Sequence, residues 1–163
     1  MLAQTSTDAT AGRFPLAILE SAKVANGSIS VKFKAMSGTV DQAAGLVWRY
    51  HDPNNYYIVR ANALEENVVL YKVENGQRLA LAPKGSPSKT YGVRRHIPKQ
   101  SWNTLAVQFE ANVFTVSFGG EKLFQVIDST FSGAGKVGLW TKADSVTYFD
   151  DLQVLRNSES RTP

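Results

Sequence analysis

Apolar and polar residues alternate along most of this chain with a period of two. Windows that carry an apolar stripe at helical spacing are almost missing, and only residues 15–23 are compatible with a short helix. Because successive side chains of a strand point to opposite faces of a sheet, this pattern predicts a chain built mostly of strands.

Turn residues divide the chain into short strands. Alternation predicts strands over 28–36, 43–50, 56–62, 67–74, 103–110, 113–118, 121–128, 136–141 and 145–155. Asn75-Gly76 and Gly119-Gly120 are two-residue loops of the kind that closes a hairpin, since both positions accept a positive φ. Many short antiparallel strands without helices predict an all-β fold, a two-sheet antiparallel sandwich of the jelly-roll kind.

The totals limit both the architecture and the chemistry. A chain of 163 residues is most simply one domain, and we expect it to span 1–156, followed by a flexible tail at 157–163. The absence of cysteine excludes disulfides, thiolate metal sites and cysteine nucleophiles. No apolar run approaches the roughly 18 residues of a membrane span, so we expect none.

Basic residues are concentrated in one connection. The net charge is +4, and much of it comes from residues 84–99, within a loop at 82–100 that regular structure does not explain. Loops longer than about 12–15 residues tend to be functional or mobile. We interpret this segment first as a solvated loop and second as a contact for an anion or a polysaccharide. No nucleic-acid partner is expected, because one basic loop is weak evidence for it.

Three stretches resemble a known superfamily. The runs DQAAGLVWRYHDPNNYYIVRANALEENVVLYKVENGQR, SWNTLAVQFEANVFTVSFGGEKLF and GAGKVGLWTKADSVTYFDDLQV are similar to the concanavalin A-like lectin/glucanase jelly rolls. The likeness is greatest to bacterial laminin-G-like and 3-keto-disaccharide hydrolase-type domains, and it covers about residues 27–155. It implies a jelly roll that is usually exported to the periplasm or beyond, with a leader that this chain does not include. The superfamily contains lectins, carbohydrate-binding modules, glycosidases and lyases.

The sequence departs from the superfamily's glucanases at the catalytic motif. Those enzymes carry Glu-x-Asp-x-x-Glu or Glu-x-Asp-x-Glu on one strand, which places both carboxylates on one face. Neither spacing occurs here, which argues against laminarinase-type hydrolysis. Carboxylates from different strands could still converge, and the acidic candidates are Glu65, Asp144 and Asp150. We therefore assign no catalytic residue.

The last predicted strand places a carboxylate among apolar residues. Val146, Tyr148, Asp150, Leu152 and Val154 share one face by alternation. If Leu152 and Val154 point into the core, Asp150 does too, and a buried carboxylate needs a partner or a cation. The resemblance implies a structural Ca²⁺ held by Asp150, the one cofactor we consider. The alternatives are a bulge that turns Asp150 outward, or hydrogen bonds to backbone or to an arginine.

The segment WRYHDPNNYYIVR, residues 48–60, carries aromatic rings on both faces of two strands. Leu46, Trp48 and Tyr50 share one face by alternation, and Val47 and Arg49 share the other. Rings and polar groups side by side suit a sugar, whose apolar face stacks on aromatics and whose hydroxyls bind polar side chains. The predicted ligand-binding residues are Arg49, Tyr57, Arg60, Asn62, Tyr71, Lys72, Trp140 and Lys142.

The same residues also have a purely structural interpretation. Trp48, Trp140 and half of the tyrosines would pack in the core, while the arginines pair with Asp52, Glu65 or Asp144. Our first functional hypothesis is a lectin-like domain that binds carbohydrate or a related polyhydroxylated ligand on a concave aromatic and arginine face. The alternatives are a glycoside-active hydrolase of the 3-keto-disaccharide type and a protein-interaction module without a small ligand. None of these hypotheses predicts an oligomeric state.

Overall fold

The computed structural model describes residues 1–158, which form thirteen strands and no helix. The strands are β1 (Leu2–Gln4), β2 (Leu16–Val24), β3 (Gly27–Ser37), β4 (Ala43–Asp52), β5 (Asn55–Asn62), β6 (Asn67–Glu74), β7 (Gln77–Ala80), β8 (Val93–Arg94), β9 (Asn103–Glu110), β10 (Val113–Phe118), β11 (Glu121–Ile127), β12 (Gly135–Trp140) and β13 (Val146–Arg156). Within this part of the chain no helix is long and apolar enough to cross a membrane. Of the predicted tail 157–163, residues 159–163 lie outside the described residues.

The strands form two antiparallel sheets. Sheet A has the order β1-β13-β3-β9-β10-β11, and sheet B has the order β2-β12-β4-β5-β6-β7, with β8 also paired to β6. Asn75-Gly76 and Gly119-Gly120 close hairpins with positive φ at both positions, as predicted for such two-residue loops. The predicted all-β, two-sheet antiparallel sandwich is confirmed.

The core lies between the inner faces of the two sheets. Trp48 is at its centre, with ring centroids of Tyr57, Phe109 and Phe114 at 5.5, 6.1 and 5.3 Å. All four side chains are fully buried. Alternation places Trp48 and Tyr57 on the inner face of sheet B, because both lie in phase with buried aliphatic neighbours such as Val59.

Sheet B is unusual in that its outer face is also buried. Val47, Ile58, Val69, Tyr56, Tyr71 and Trp140 form a second apolar cluster there, and none of them is more than 2% exposed. We call this group, together with the partly buried Phe14 that packs on it, the outer cluster. The prediction that β4 and β5 carry large residues on both faces is confirmed, and both faces are removed from water.

A bulge in β4 alters the predicted alternation after Trp48. Arg49 has a φ of 47°, and the register to β5 shifts between Trp48 and Asp52. Tyr50 was expected beside Trp48, but it packs instead on the outer cluster, 5.6 Å from Tyr56. Arg49 was expected on the face of Val47, but its guanidinium lies over the core ring of Phe114 at 5.5 Å. Both face assignments were wrong because one extra residue reverses the phase of a strand.

The helix considered for residues 15–23 is not formed. This segment is strand β2, which pairs antiparallel with β12 from Leu16↔Trp140 to Val24↔Gly135. Ala22 and Val24 are 8% and 1% exposed and belong to the core between the sheets. Residues 15–23 become a strand because they pair with β12, whose backbone N–H and C=O groups on that edge would otherwise lack partners.

A second bulge, in β13, turns Asp150 to the surface. The pairing with β3 is interrupted between Asp150 and Gln153, and Asp151 has a φ of 49°. Phe149 points into the core, whereas the Asp150 side chain is 48% exposed and lies 3.3 Å from the amino group of Met1. Leu152 is 38% exposed, so the condition for an inward Asp150 is not met, and the alternative of a bulge with Asp150 turned outward is the one observed. The proposed calcium ligand loses the burial on which it rested.

Asp144 fixes the loop between β3 and β4. Its carboxylate accepts hydrogen bonds from the backbone N–H groups of Thr39, Val40 and Asp41 at 2.6, 3.1 and 3.0 Å, and from the Thr39 hydroxyl. Burial raises the pKa of Asp144, but these hydrogen bonds outweigh burial and hold it far below its usual range. An ionised Asp144 therefore ties the end of sheet B to the chain that follows β12.

We expect Asp144→Asn to lower the free energy of unfolding by about 2–4 kcal/mol at pH 7, because an NH₂ group would replace one of the two accepting oxygens and face backbone N–H donors, and the charge would be lost. The folded pKa is depressed, so this stabilisation is present above about pH 4 and is lost as the pH falls. Urea denaturation between pH 7 and pH 2.5 should therefore show that the difference in free energy of unfolding between wild type and variant becomes smaller as the pH falls.

Asp151→Asn is the matched control, because Asp151 is 54% exposed and its partner is the exposed Lys32. We expect a change below about 1 kcal/mol at every pH. If Asp144→Asn lowered the free energy of unfolding equally at pH 7 and at pH 2.5, the ionised Asp144 carboxylate would not be the source of the stabilisation.

Candidate functional site

The eight residues predicted to bind a ligand lie in two separate places. Arg60, Asn62, Tyr71, Trp140 and Lys142 lie on the outer side of sheet B or at its end. The other predicted residues, Arg49, Tyr57 and Lys72, lie at the opposite end of β4, β5 and β6, where the inner core meets the loop after β11. Only the first group is brought together on one face.

Protein groups already occupy the polar atoms of the second group. The Arg49 guanidinium donates to the carbonyl oxygens of Ala25, Ala111 and Phe131 at 3.1, 2.6 and 2.8 Å. Tyr57 donates to Asp128 at 2.6 Å. Lys72 donates likewise to Thr130 Oγ1 at 2.8 Å. These contacts connect the strands to three neighbouring loops.

On the outer face, the chain covers its own aromatic rings. Trp140 is fully buried because Phe14 stacks on it with centroids 5.5 Å apart and an interplanar angle of 15°. The Arg78 guanidinium, from the edge strand β7, lies 4.5 Å from the Tyr71 centroid and 4.9 Å from the Phe14 centroid. The faces of Trp140 and Tyr71 are therefore occupied by protein, and the accessible part of the site lies beyond them.

Arg60 organises the polar end of this face. Its side chain is only 2% exposed, and its Nη2 donates to Glu65 Oε2, Tyr91 Oη and Tyr71 Oη at 2.7, 3.0 and 3.1 Å. Its Nη1 donates to Asn67 Oδ1. The Tyr71 and Tyr91 hydroxyls are also hydrogen-bonded to each other. A buried guanidinium requires such partners, because a buried charge is costly without them.

A second chain of polar groups adjoins Arg60. Asn62 donates to Asp41 Oδ1 at 2.8 Å, and Lys142 Nζ lies 3.0 Å from Asp41 Oδ2. The charge of Lys142 also reaches Glu65. We refer to the whole group as the Arg60 network, which consists of Asp41, Arg60, Asn62, Glu65, Asn67, Tyr71, Tyr91 and Lys142.

Glu65 is the network's accessible carboxylate. Partial burial raises its pKa, but the Arg60 charge and hydrogen bonds from Asn67 and Arg60 outweigh this and hold the pKa below its usual range. Its Oε2 accepts from Arg60 and Asn67, whereas Oε1 accepts no hydrogen bond from residues 1–158. With 39% of its side chain exposed, Glu65 presents a charged oxygen to solvent.

Two exposed features flank Glu65. One is a groove of about 660 Å³ between the β5–β6 turn and the end of the long loop. We call it the Glu65 groove, and it is lined by Ala63, Leu64, Glu65, Glu66, Arg94, His96, Ile97, Pro98 and Lys99. The other is the ring of Tyr91, which is 48% exposed. A fixed charge borders the groove, and Tyr91, which is not itself a lining residue, is connected to that charge through Arg60.

The three acidic candidates do not converge. Asp144 accepts hydrogen bonds from the backbone of the β3–β4 loop, and Asp150 lies on sheet A beside the N-terminus. Glu65 alone belongs to the groove. Within residues 1–158, no three His, Asp or Glu side chains lie close enough together to hold a metal ion. The arrangement offers recognition of hydroxyl groups rather than an identified pair of catalytic carboxylates.

Several residues of the site were not among the predicted ligands. Asn67 shares the strand phase of Tyr71, so alternation alone could have indicated it. Asp41 precedes a strand, and Tyr91 lies in the irregular loop, where no period predicts a direction. Arg78 and Phe14 come from edge strand β7 and the segment before β2, and only the folded chain brings them onto the outer cluster.

Comparison with known proteins supports the architecture. No protein-family model matches the sequence, and no curated protein is similar to it. Among solved structures, the carbohydrate binding module CBM66 from Bacillus subtilis is 21% identical with a TM-score of 0.72, covering 87% of this chain and 80% of its own. Galectin-Ib from Xenopus laevis is 8% identical with a TM-score of 0.61, over 86% and 99% of the two chains.

A third similar structure is a variant of the GH43 protein BlXynB from Bacillus licheniformis. It is 15% identical with a TM-score of 0.57, over 82% of this chain but only 28% of that longer protein. Identities this low bear on the fold, and the fold expected from the sequence is confirmed. The chain folds as a two-sheet antiparallel jelly-roll sandwich, as these structures do.

Proposed function

We propose that this domain binds carbohydrate in the Glu65 groove, with Tyr91 as the stacking ring and Arg60 as the residue that positions Glu65. The observation that carries the proposal is the arrangement of the Glu65 carboxylate. One of its carboxylate oxygens is held by Arg60 and Asn67, and the other accepts no hydrogen bond within residues 1–158, while the Glu65 side chain lines a groove of about 660 Å³. A volume of this size is typical of pockets for small ligands.

The fixed carboxylate suits sugar hydroxyls. A charged acceptor forms stronger hydrogen bonds with O–H donors than a neutral one does. Arg60 holds Glu65 at 2.7 Å and is itself buried among hydroxyl and amide groups, so Glu65 loses little conformational entropy when a ligand binds. Preorganisation of this kind is expected of a site that recognises a flexible, hydrated ligand.

Tyr91 supplies the apolar part of the recognition. Its hydroxyl is tied to Tyr71 and to Arg60, which fixes the ring although about half of it is exposed. The ring meets that of Tyr71 edge-on, with centroids 5.9 Å apart and an interplanar angle of 72°. An exposed but immobilised ring can stack on the C–H face of a pyranose.

The structural likenesses support the same class of ligand. One similar structure is named as a carbohydrate binding module and another as a galectin, and both cover more than four-fifths of this chain. A hydrolase remains the alternative function, and the GH43 likeness is compatible with it. We favour binding because, within residues 1–158, the only other carboxylate that lines the groove is that of Glu66, which is turned to His96 at 2.8 Å.

Binding to a glycan array tests the proposal. We expect Glu65→Gln to weaken the wild-type interaction about tenfold, because a charged acceptor becomes neutral, and Tyr91→Ala to weaken it several-fold. Trp102→Ala is the matched control, since Trp102 is also a 43% exposed aromatic residue but contacts Lys34 of sheet A instead. Equal losses in all three variants, or no glycan bound by the wild type, would contradict the proposal.

The role of Arg60 has a separate test. Arg60→Met removes the charge that lowers the pKa of Glu65, so we expect that pKa to rise in an NMR titration of the carboxyl group. We also expect the free energy of unfolding to fall by about 2–4 kcal/mol, since Glu65, Asn67 and two tyrosines lose a common partner.

Lys32→Met is the control for this substitution. It removes an ion pair with Asp151 whose two side chains are more than half exposed. A change below about 1 kcal/mol is expected for such a surface pair. If the pKa of Glu65 were the same in wild type and Arg60→Met, the positioning role assigned to Arg60 would be wrong.

A further inference from the structure

We infer that the Glu65 groove takes an acidic saccharide, a chain containing uronic acid units whose carboxylates meet Arg94 and Lys99. This inference rests on the proposed function and adds the class of sugar.

Each carboxylate of the region has its own partner. Glu65 lies 2.7 Å from Arg60, and Asp41 lies 3.0 Å from Lys142. Glu66 lies 2.8 Å from the Nδ1 atom of His96. A ligand therefore does not need to supply a cation to any of these groups.

Two cations of the groove form no ion pair, although the charges of both contribute to lowering the pKa of Glu66. Arg94 and Lys99 are exposed, and neither forms an ion pair with a carboxylate of residues 1–158. Both line the groove. They are also placed beside the Arg60 network, since Arg94 of β8 pairs directly with Asn67 of β6.

The local balance of charge is positive. Around the groove and the network, the cations are Arg60, Lys142, Arg94 and Lys99. The carboxylates are Asp41, Glu65 and Glu66. One positive charge is left over at neutral pH, and it lies on the exposed side, where it attracts an anionic ligand over about one Debye length.

A uronic acid unit matches each part of this arrangement. Its ring hydroxyls can donate to Glu65 Oε1, and the C–H face of its ring can stack on Tyr91. Its carboxylate can accept from Arg94 or Lys99, and an arginine fork fits a carboxylate in bidentate geometry. A neutral sugar would satisfy the first two contacts and leave both cations without an ion pair, with only the more distant charge of Glu66 acting on them.

Calorimetry on the full chain tests the inference. The probes are oligomers of galacturonate, glucuronate and alginate, each compared at low and physiological salt with its carboxyl-reduced, neutral counterpart of the same linkage. We expect at least one acidic oligomer to bind about tenfold more tightly than its neutral counterpart. The double variant Arg94→Gln with Lys99→Gln should lose that difference while retaining the binding of the neutral form.

A second double variant, Lys84→Gln with Lys89→Gln, is the control for charge alone. It removes the same two charges from the same loop, at positions that do not line the groove. We expect it to keep the preference for the acidic oligomer. Equal losses in the two double variants would show unspecific attraction and would overturn the inference.

The remaining outcomes separate the two proposals. If neutral oligomers bind as tightly as acidic ones and Glu65→Gln weakens both, carbohydrate binding stands and the acidic preference is wrong. If neither these oligomers nor any glycan on the array binds, the proposed function itself fails.

Discussion

The burial of both faces of the central strands in sheet B is the constraint on which the rest of this structure depends. Against sheet A, the inner face buries Trp48 and its ring neighbours in an ordinary sandwich core. The outer face carries a smaller apolar cluster that also includes large aromatic side chains, and no third layer of regular structure covers it within residues 1–158. The chain covers it with single side chains, Phe14 over Trp140 and Arg78 over Tyr71.

The same constraint explains the polar site. Arg60 lies on the outer face of β5, one alternation step from Ile58, so its guanidinium is buried with the apolar residues around it. Its partners come from the β5–β6 turn, from β6 and from the long loop. The hydrogen bonds with Arg60 fix the positions of Glu65 and Tyr91. A requirement of folding, to neutralise one buried charge, thereby creates a rigid group of acceptors that includes Glu65, a residue of the groove, and Tyr91, an exposed aromatic residue.

Alternation predicted the strands well and failed at two particular places. At Arg49 and at Asp151 a residue with positive φ inserts a bulge, and the side chains that follow exchange faces. This moved Arg49 toward the core, opposite to the expected direction, and left Asp150 at the surface. A strand's phase can be read from its residues, but a bulge is set by the register with its neighbours, which the sequence of one strand does not contain.

The amino-acid sequence by itself determined nine of the strands, the glycine hairpins and the large residues on both faces of β4 and β5, because these follow from local periodicity and turn conformation. It did not determine β2, or the short strands β1, β7 and β8. It also indicated Arg60, Asn62, Tyr71, Trp140 and Lys142, which the fold does bring to one face. Only the tertiary structure decided that Trp140 is covered and that Tyr91 completes the site. Tyr91 belongs to an irregular loop, and its position results from long-range contacts with Arg60 and Tyr71, separated from it by 31 and 20 residues.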